Sequence, residues 1–387
     1  MRHFRFIPLN LFFLIVCPLY GYTQISSKTP HQILILDADT GGILYEHNLQ
    51  KEFVPASLTK LMTAELIFRE LKLGNITKDQ FFSVSENSWR KGGAPSRKPT
   101  MFAKLGSQIT VWNLLRGMAI ANGNDAALVL AEGLSGSEDN FVALMNKRAK
   151  ELHLNNTHFV NATGLPKEGQ KTNLYDMVKL TRYIEYHYPE FYSIYQEPAF
   201  NWSGIYQRNK NPIVDSSDLK DELRLGFVNE GDISIISSVK RDDYHYYIAV
   251  KGMFNNKNVI SEFKNLTAWV FNSFKSKLIY EKNEIIGYAK VFGGDQSYVP
   301  LFSIYPINIF VPMNDLTAIK AKIEYYGPVR APVLKGTQIG SLKIYVKEHL
   351  FTEHPLFAMN NIAKTGLIRH AKDSLYEFTL GWLSKYI

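Results

Sequence analysis

Pro55-Ala56-Ser57-Leu58-Thr59-Lys60-Leu61-Met62-Thr63 is the stretch on which the reading of this chain turns. From Ser57 to Arg69 apolar side chains recur at helical spacing (Leu58, Leu61, Met62, Leu66) with no Gly or Pro among them, which predicts a helix beginning near Ser57. Ser57 and Lys60 then lie one turn apart on a shared face. A hydroxyl on the first turn faces unpaired backbone N–H groups and the positive end of the helix dipole, which favours an anion forming there. The pair suits a nucleophile and its base, provided that burial or neighbouring cations bring the amine down from its usual pKa of about 10.4. The bland alternative is a helix N-cap. Ser-x-x-Lys also occurs at Ser88, Ser217, Ser237 and Ser261, where ordinary surface or core roles suffice.

Upstream, Arg2 and Arg5 precede an apolar run from Leu11 to Cys17, followed by Pro18 and Gly21. This is the pattern of a secretory signal peptide (residues 1–25). Cys17 is the one cysteine of the chain and would leave with the signal, so a mature thiol or disulfide is not expected. The 387 residues, 45% of them hydrophobic, are enough for two domains with a large core. The net charge of +8 is spread without basic blocks. That speaks against a nucleic-acid partner and suits anionic lipid or an anionic cell-wall polymer. The ten histidines form no recognised metal-ligand spacing.

Downstream of the signal, Gln32 to Asp37 and Ile43 to Glu46 are predicted strands joined at Thr40-Gly41-Gly42. Asn87 to Thr100, rich in Gly, Pro, Ser, Lys and Arg, is predicted as an exposed, mobile loop, inert or beside a cleft. Helical patterns run over 111–120, 125–134 and 141–152, and Ala121-Asn122-Gly123-Asn124 makes a tight turn between the first two. A loop over 158–166 leads into a helix starting near Thr172. Leu223 to Asn229, Asp232 to Val239 and Tyr244 to Lys251 are predicted antiparallel strands, and Ile260 to Phe274 a helix. Short β-like segments follow from about Glu281 to Lys347. Leu367, Ala371, Leu375, Phe378 and Trp382 then form one apolar stripe with charged residues opposite, an amphipathic helix for docking on a core or on lipid.

In order along the chain, the first stretch, Gly92-Gly93-Ala94-Pro95, Leu114-Leu115-Arg116-Gly117, Asn124-Asp125-Ala126-Ala127, Asn161-Ala162-Thr163-Gly164-Leu165, Tyr175-Asp176-Met177 and Asn209-Lys210-Asn211-Pro212 resemble the low-molecular-mass penicillin-binding proteins. These are the D-alanyl-D-alanine carboxypeptidases of bacterial cell-wall metabolism. The resemblance implies an α+β fold, a β-lactamase/transpeptidase-like domain of helices packed on an antiparallel sheet (26–278). A small all-β domain (279–358) and a C-terminal amphipathic helix (359–387), a possible membrane anchor, would follow. It implies a periplasmic enzyme on the outer face of the cytoplasmic membrane that needs no cofactor or metal. Its partners would be peptidoglycan stem peptides, with β-lactams as covalent inhibitors.

Carried over by position, Ser57 would be the nucleophile and Lys60 its base, with Asn122 and Asn124 in the second motif. Arg224 and Gly226 would bind substrate, and the backbone N–H of Phe227 would join that of Ser57 in the oxyanion hole. Two motifs depart from the family pattern. Ser-x-Asn is Asn122-Gly123-Asn124 here, and an amide does not shuttle a proton as a hydroxyl does. Lys-Thr-Gly is Arg224-Leu225-Gly226, and an arginine of many family members falls on Val259, so two polar contacts to the substrate carboxylate are missing. The alternative is therefore an impaired or inactive homologue serving as a peptidoglycan- or protein-binding scaffold. A β-lactamase reading fits less well with the β-rich second domain.

Overall fold

This computed structural model describes residues 32–211, 213–214, 223–229, 234–242, 244–252, 259–312, 319–346 and 349–366. The predicted signal peptide, the C-terminal stripe from Leu367 onward and the Glu230-Gly231 turn lie outside the described residues.

The first strands, β1 (Gln32–Asp37) and β2 (Ile43–His47), form the expected hairpin. Then come α1 (Thr59–Leu73), β3 (Phe81–Ser83), α2 (Glu86–Gly92), β4 (Gln108–Thr110), α3 (Val111–Ile120), α4 (Asn124–Ser135) and α5 (Glu138–Glu151). The chain continues through α6 (Leu174–His187), α7 (Pro189–Tyr192), β5 (Ala199–Trp202) and β6 (Ile205–Arg208). The strands β7 (Leu223–Asn229), β8 (Ser234–Arg241) and β9 (Tyr244–Lys251) complete a five-stranded antiparallel sheet ordered β2-β1-β9-β8-β7. α8 (Val259–Ser273) leads out of it.

The strand run Ile33 to Leu36 is apolar without a break because both faces of the sheet are covered. Leu34 and Leu36 pack with the helical core around α1, α3, α4 and α6. Ile33 and Ile35 point the other way, as strand alternation requires, into a core shared with α8 and the following domain. α1 runs through the helical layer with every residue from Thr59 to Phe68 buried. It ends at Gly74, whose φ of +75° closes the helix in the left-handed region. Its Glu65 is fully buried and paired with Arg148 Nη2 of α5 at 2.8 Å, and the Tyr188 hydroxyl donates to it at 3.1 Å. Burial pushes the Glu65 carboxyl up, and the Arg148 guanidinium opposes that shift.

The second domain is all β. β10 (Phe274–Tyr280) pairs with β13 (Ile307–Pro312). A six-stranded sheet contains β11 (Ile285–Phe292), β12 (Tyr298–Phe302), β14 (Ile319–Tyr325), β15 (Val329–Arg330), β16 (Gln338–Val346) and β17 (His349–Ala358). Its Val291, Val299, Leu301 and Phe351 share one core with β1 and α8. At the joint, a Cβ added to Gly42 would fall 2.5 Å from the Phe351 carbonyl oxygen, so the β1–β2 turn meets β17 where only glycine fits.

Three boundaries differ from expectation. The helix expected at Ser57 begins at Thr59, after a 3-10 turn over Ala56–Leu58. The helix expected near Thr172 begins at Leu174, where the Asn173 side chain accepts from the Asp176 N–H at 2.8 Å. The stretch 87–100, expected as a mobile loop, carries α2 and a 3-10 turn over Ala94–Ser96. Ser85 caps α2 by accepting from the Ser88 N–H at 3.0 Å. Its glycines serve contact: a Cβ on Gly92 would fall 2.4 Å from the Asp125 nitrogen.

Asp37, at the end of β1, is fully buried. Its carboxylate accepts from the Thr40 N–H at 2.7 Å, yet burial outweighs that bond and pushes its pKa up to about 6. The folded state thus holds this proton more tightly than the unfolded chain does. The resulting stability is complete below about pH 4 and is lost as pH rises through about 6, a swing of up to roughly 3 kcal/mol. Asp37→Asn is therefore expected to gain on the wild type as pH rises from about 4.5 to about 7.5, as read from urea midpoints at each pH. An unchanged difference across that range would contradict the assignment.

Candidate active site

Ser57 sits, half-buried, in the turn between Pro55 and α1. Its neighbour Ala56 holds a φ of +46°, a left-handed conformation that costs a non-glycine residue about 1 kcal/mol or more. The far side of the turn explains why it persists. Gly164, itself at φ +81°, lies so close that a Cβ there would be 1.7 Å from the Ala56 carbonyl oxygen.

Lys60, one turn into the helical stretch, is only 4% exposed, and its Nζ donates to the Thr163 carbonyl at 2.9 Å. On the same face of α1 the Thr63 hydroxyl donates to the Ala162 carbonyl at 2.7 Å. The loop they grip is shaped by Asn161, whose Oδ1 accepts from Gly164 N–H at 2.7 Å and whose Nδ2 donates to the Leu165 carbonyl at 2.8 Å. Glu138, at the start of α5, accepts from the Ala162 N–H at 3.0 Å. Helix and loop therefore fix the direction of the amine together.

The third member comes from the α3–α4 turn. Asn122 has φ +57°, a region that Asn tolerates better than most residues, and its Nδ2 donates to Ser57 Oγ at 3.1 Å. The turn is tied at both sides, Gly123 N–H to the Gly117 carbonyl at 3.0 Å and Asn124 N–H to the Pro99 carbonyl at 2.9 Å. Below it Asp125 is fully buried and accepts from the Met101 and Ala103 N–H groups, each at 2.9 Å, and from the Thr100 hydroxyl. Such multiply bonded carboxylates hold backbone firmly.

Ser57, Lys60 and Asn122 meet in a cleft whose lining also includes Tyr195, Asn209 and Lys210. Burial pushes the Tyr195 phenol well up, so it stays protonated. Of the residues singled out in the sequence, these first three converge. Asn124 is buried at the first position of α4 and is not part of the cleft lining. Arg224, Gly226 and Phe227 lie on β7, the outer strand of the sheet, which runs beside the Ala56–Leu58 turn. The pairing passes from Leu223↔Val239 to Leu225↔Ser238, leaving Arg224 as the extra residue of a bulge. The side chains of 224–227 and of Val259 lie outside the described residues. Sequence reasoning gave no chemical role to Thr163, Gly164, Asp125, Tyr195 or Lys210. For four of them the one signal was membership of the short matching segments around 125, 161–165 and 209–212, and Tyr195 carried none.

The chain matches known proteins over most of its length. Residues 22–255 match the family model described as D-alanyl-D-alanine carboxypeptidase, and residues 274–364 match the C-terminal domain of penicillin-binding protein 5. The chain is similar to D-alanyl-D-alanine carboxypeptidase DacF of Bacillus subtilis, 30% identical over 360 residues covering 89% of each protein. It is also similar to DacD of Salmonella typhimurium, 29% identical over 343 residues covering 88% of each. The crystal structure of penicillin-binding protein 5 from Haemophilus influenzae superposes with a TM-score of 0.74 at 28% identity, covering 89% of this chain and all of that one.

If Gly164 is what allows the loop to lie on the Ser57 turn, Gly164→Ala should cost at least about 2 kcal/mol and slow formation of a covalent penicillin adduct. Gly136→Ala is the control: its φ is +79° but nothing lies within 4 Å of the added carbon. That variant should lose only about 1 kcal/mol and keep its rate of adduct formation. Equal effects in the two variants, by urea denaturation and labelled-penicillin kinetics, would remove the close-approach argument.

Proposed function

The chain belongs to the D-alanyl-D-alanine carboxypeptidase family, and we propose that it removes the terminal D-alanine from peptidoglycan stem peptides through an acyl-enzyme on Ser57. The observation that carries this reading is the convergence of Ser57, Lys60 and Asn122 on one cleft, with the Asn122 amide donating to Ser57 Oγ at 3.1 Å. That bond occupies a lone pair of the hydroxyl oxygen and leaves its proton free to depart.

Lys60 is the base. A neutral amine can donate one N–H to the Thr163 carbonyl and still present its lone pair to the Ser57 proton. Ser57 Oγ attacks the carbonyl carbon between the two D-alanines. Negative charge gathers on the carbonyl oxygen, which the backbone N–H groups of Ser57 and Phe227 receive; fixed donors of this kind lower such barriers by a few kcal/mol. As the C–N bond breaks, the proton held by Lys60 passes to the departing amine, because Asn122 has no proton to relay. Water then enters the cleft, gives a proton to Lys60 and attacks the ester carbonyl; as the bond to Ser57 Oγ breaks, Lys60 returns that proton to Oγ and the shortened peptide leaves. A β-lactam enters by the same attack and stops at the acyl stage.

The family's substrate makes this an exported, cell-wall-associated protein, in keeping with the signal-like pattern of the first 25 residues. Among the described residues no helix is long and apolar enough to cross a membrane. Attachment to the outer face of the cytoplasmic membrane would fall to the stripe Leu367, Ala371, Leu375, Phe378 and Trp382. The division expected from sequence, 26–278, 279–358 and 359–387, shifts at both joints in our reading: β10 assigns Phe274 onward to the β domain, and the bridges of Ile362 to Val333 and of Lys364 to Gly294 keep residues 359–366 in that domain, so the anchor would start at Leu367.

Two measurements test these proposals. Incubation with a labelled penicillin should give one adduct by intact mass, absent in Ser57→Ala, and the wild type should release D-alanine from a pentapeptide. No adduct after long exposure would eliminate the acyl-enzyme, and an adduct without D-alanine release would favour the scaffold alternative. Deleting residues 367–387 should free the protein from anionic vesicles; an unchanged bound fraction would refute the anchor.

A further inference from the structure

A peptide cut by a carboxypeptidase carries a free carboxylate one residue beyond the scissile carbonyl. Enclosing that anion beside an alcohol and an amine requires a cation or several donors facing it. Two amines are among the described residues that line the Ser57 cleft, Lys60, which the mechanism uses as a neutral base, and Lys210. The first is buried and tied to the Thr163 carbonyl. The second is exposed.

The backbone that carries Lys210 is clamped on both sides. Its N–H donates to the Ile120 carbonyl at 3.0 Å, just before the Asn122 turn. Asn209 donates to the Glu197 and Tyr195 carbonyls at 2.9 and 3.2 Å and accepts from the Asn211 N–H at 2.9 Å. The Asn211 side chain accepts from the Ile213 N–H at 3.1 Å. Both amides are buried, while the Lys210 ammonium forms no ion pair or side-chain hydrogen bond among the described residues. A rigid mount with an uncommitted cation in a reaction cleft is the arrangement of a binding group. Leu225, on the strand beside the Ser57 turn, brings no hydrogen-bonding side chain to share the task.

We propose that Lys210 receives the C-terminal carboxylate of the substrate and thereby restricts the enzyme to free chain ends. This rests on the carboxypeptidase reading above. The bond broken and the attacking atom are unchanged; Lys210 holds the leaving residue at its far end.

The test compares two forms of one peptide ending in D-Ala-D-Ala, the free acid and the C-terminal amide. Release of D-alanine or D-alaninamide is followed with the full-length protein, its Lys210→Gln and Lys210→Arg variants, and Arg224→Gln. In Lys210→Gln, kcat/KM for the acid should fall roughly ten- to hundredfold, chiefly through KM, while the amide changes by no more than about twofold. Lys210→Arg should keep most of the preference for the acid. An acid-to-amide ratio that survives in Lys210→Gln, an equal loss on both peptides, or a collapse confined to Arg224→Gln would overturn the proposal. A wild type that releases neither product would instead strike the carboxypeptidase reading itself, and this assignment with it.

Discussion

The contact between α1 and the loop over 161–164 is the constraint on which the site depends. A buried amine must bond to something, and Lys60 bonds to a main-chain carbonyl whose own position is fixed by the Asn161 amide. Closing that contact forces Gly164 against Ala56, and Ala56 is pushed into a left-handed conformation. The start of α1 is thereby delayed to Thr59, and Ser57 is left on a tight turn at the cleft wall instead of inside a regular helix. Position of the alcohol and direction of the amine are thus one problem with one solution.

The rest of the cleft follows the same economy. Where the chain must turn sharply and stay rigid, a buried polar side chain satisfies the backbone that the turn exposes: Asp125 under the α3–α4 turn, Asn161 in the loop, Asn209 and Asn211 in the cleft lining. Unpaired backbone groups in such places would each cost on the order of 1–3 kcal/mol, so these residues shape the cleft through the backbone they hold.

The elements made by side-chain periodicity were legible in the sequence. The β1–β2 hairpin, helices α3 to α5, the three strands β7 to β9 and the all-β character of the second domain stand where alternation and helical spacing placed them. Contacts made through backbone were not. The partner of Lys60 is a carbonyl, which every residue possesses, and nothing in the pattern around 57 announces that a glycine far along the chain will bend Ala56. The stretch 87–100 misled for a related reason. Its glycines look like tokens of mobility, but Gly92 is required by the closeness of α4, and Ser85 quietly caps a helix there. Asp125 reads as an ordinary acidic residue of a first helical turn, and only its burial reveals the four donors gathered round it.

The joint at Gly42 has a consequence for how the enzyme meets its polymer. With Phe351 pressed on a residue that has no side chain, and with β1, α8 and the β domain sharing one core, the two halves leave no slack for a hinge there. The catalytic groove is mounted like a blade on a fixed handle. Wherever the far end of that handle is held, the blade reaches a single depth of a layered mesh, and trimming is confined to strands passing through that plane.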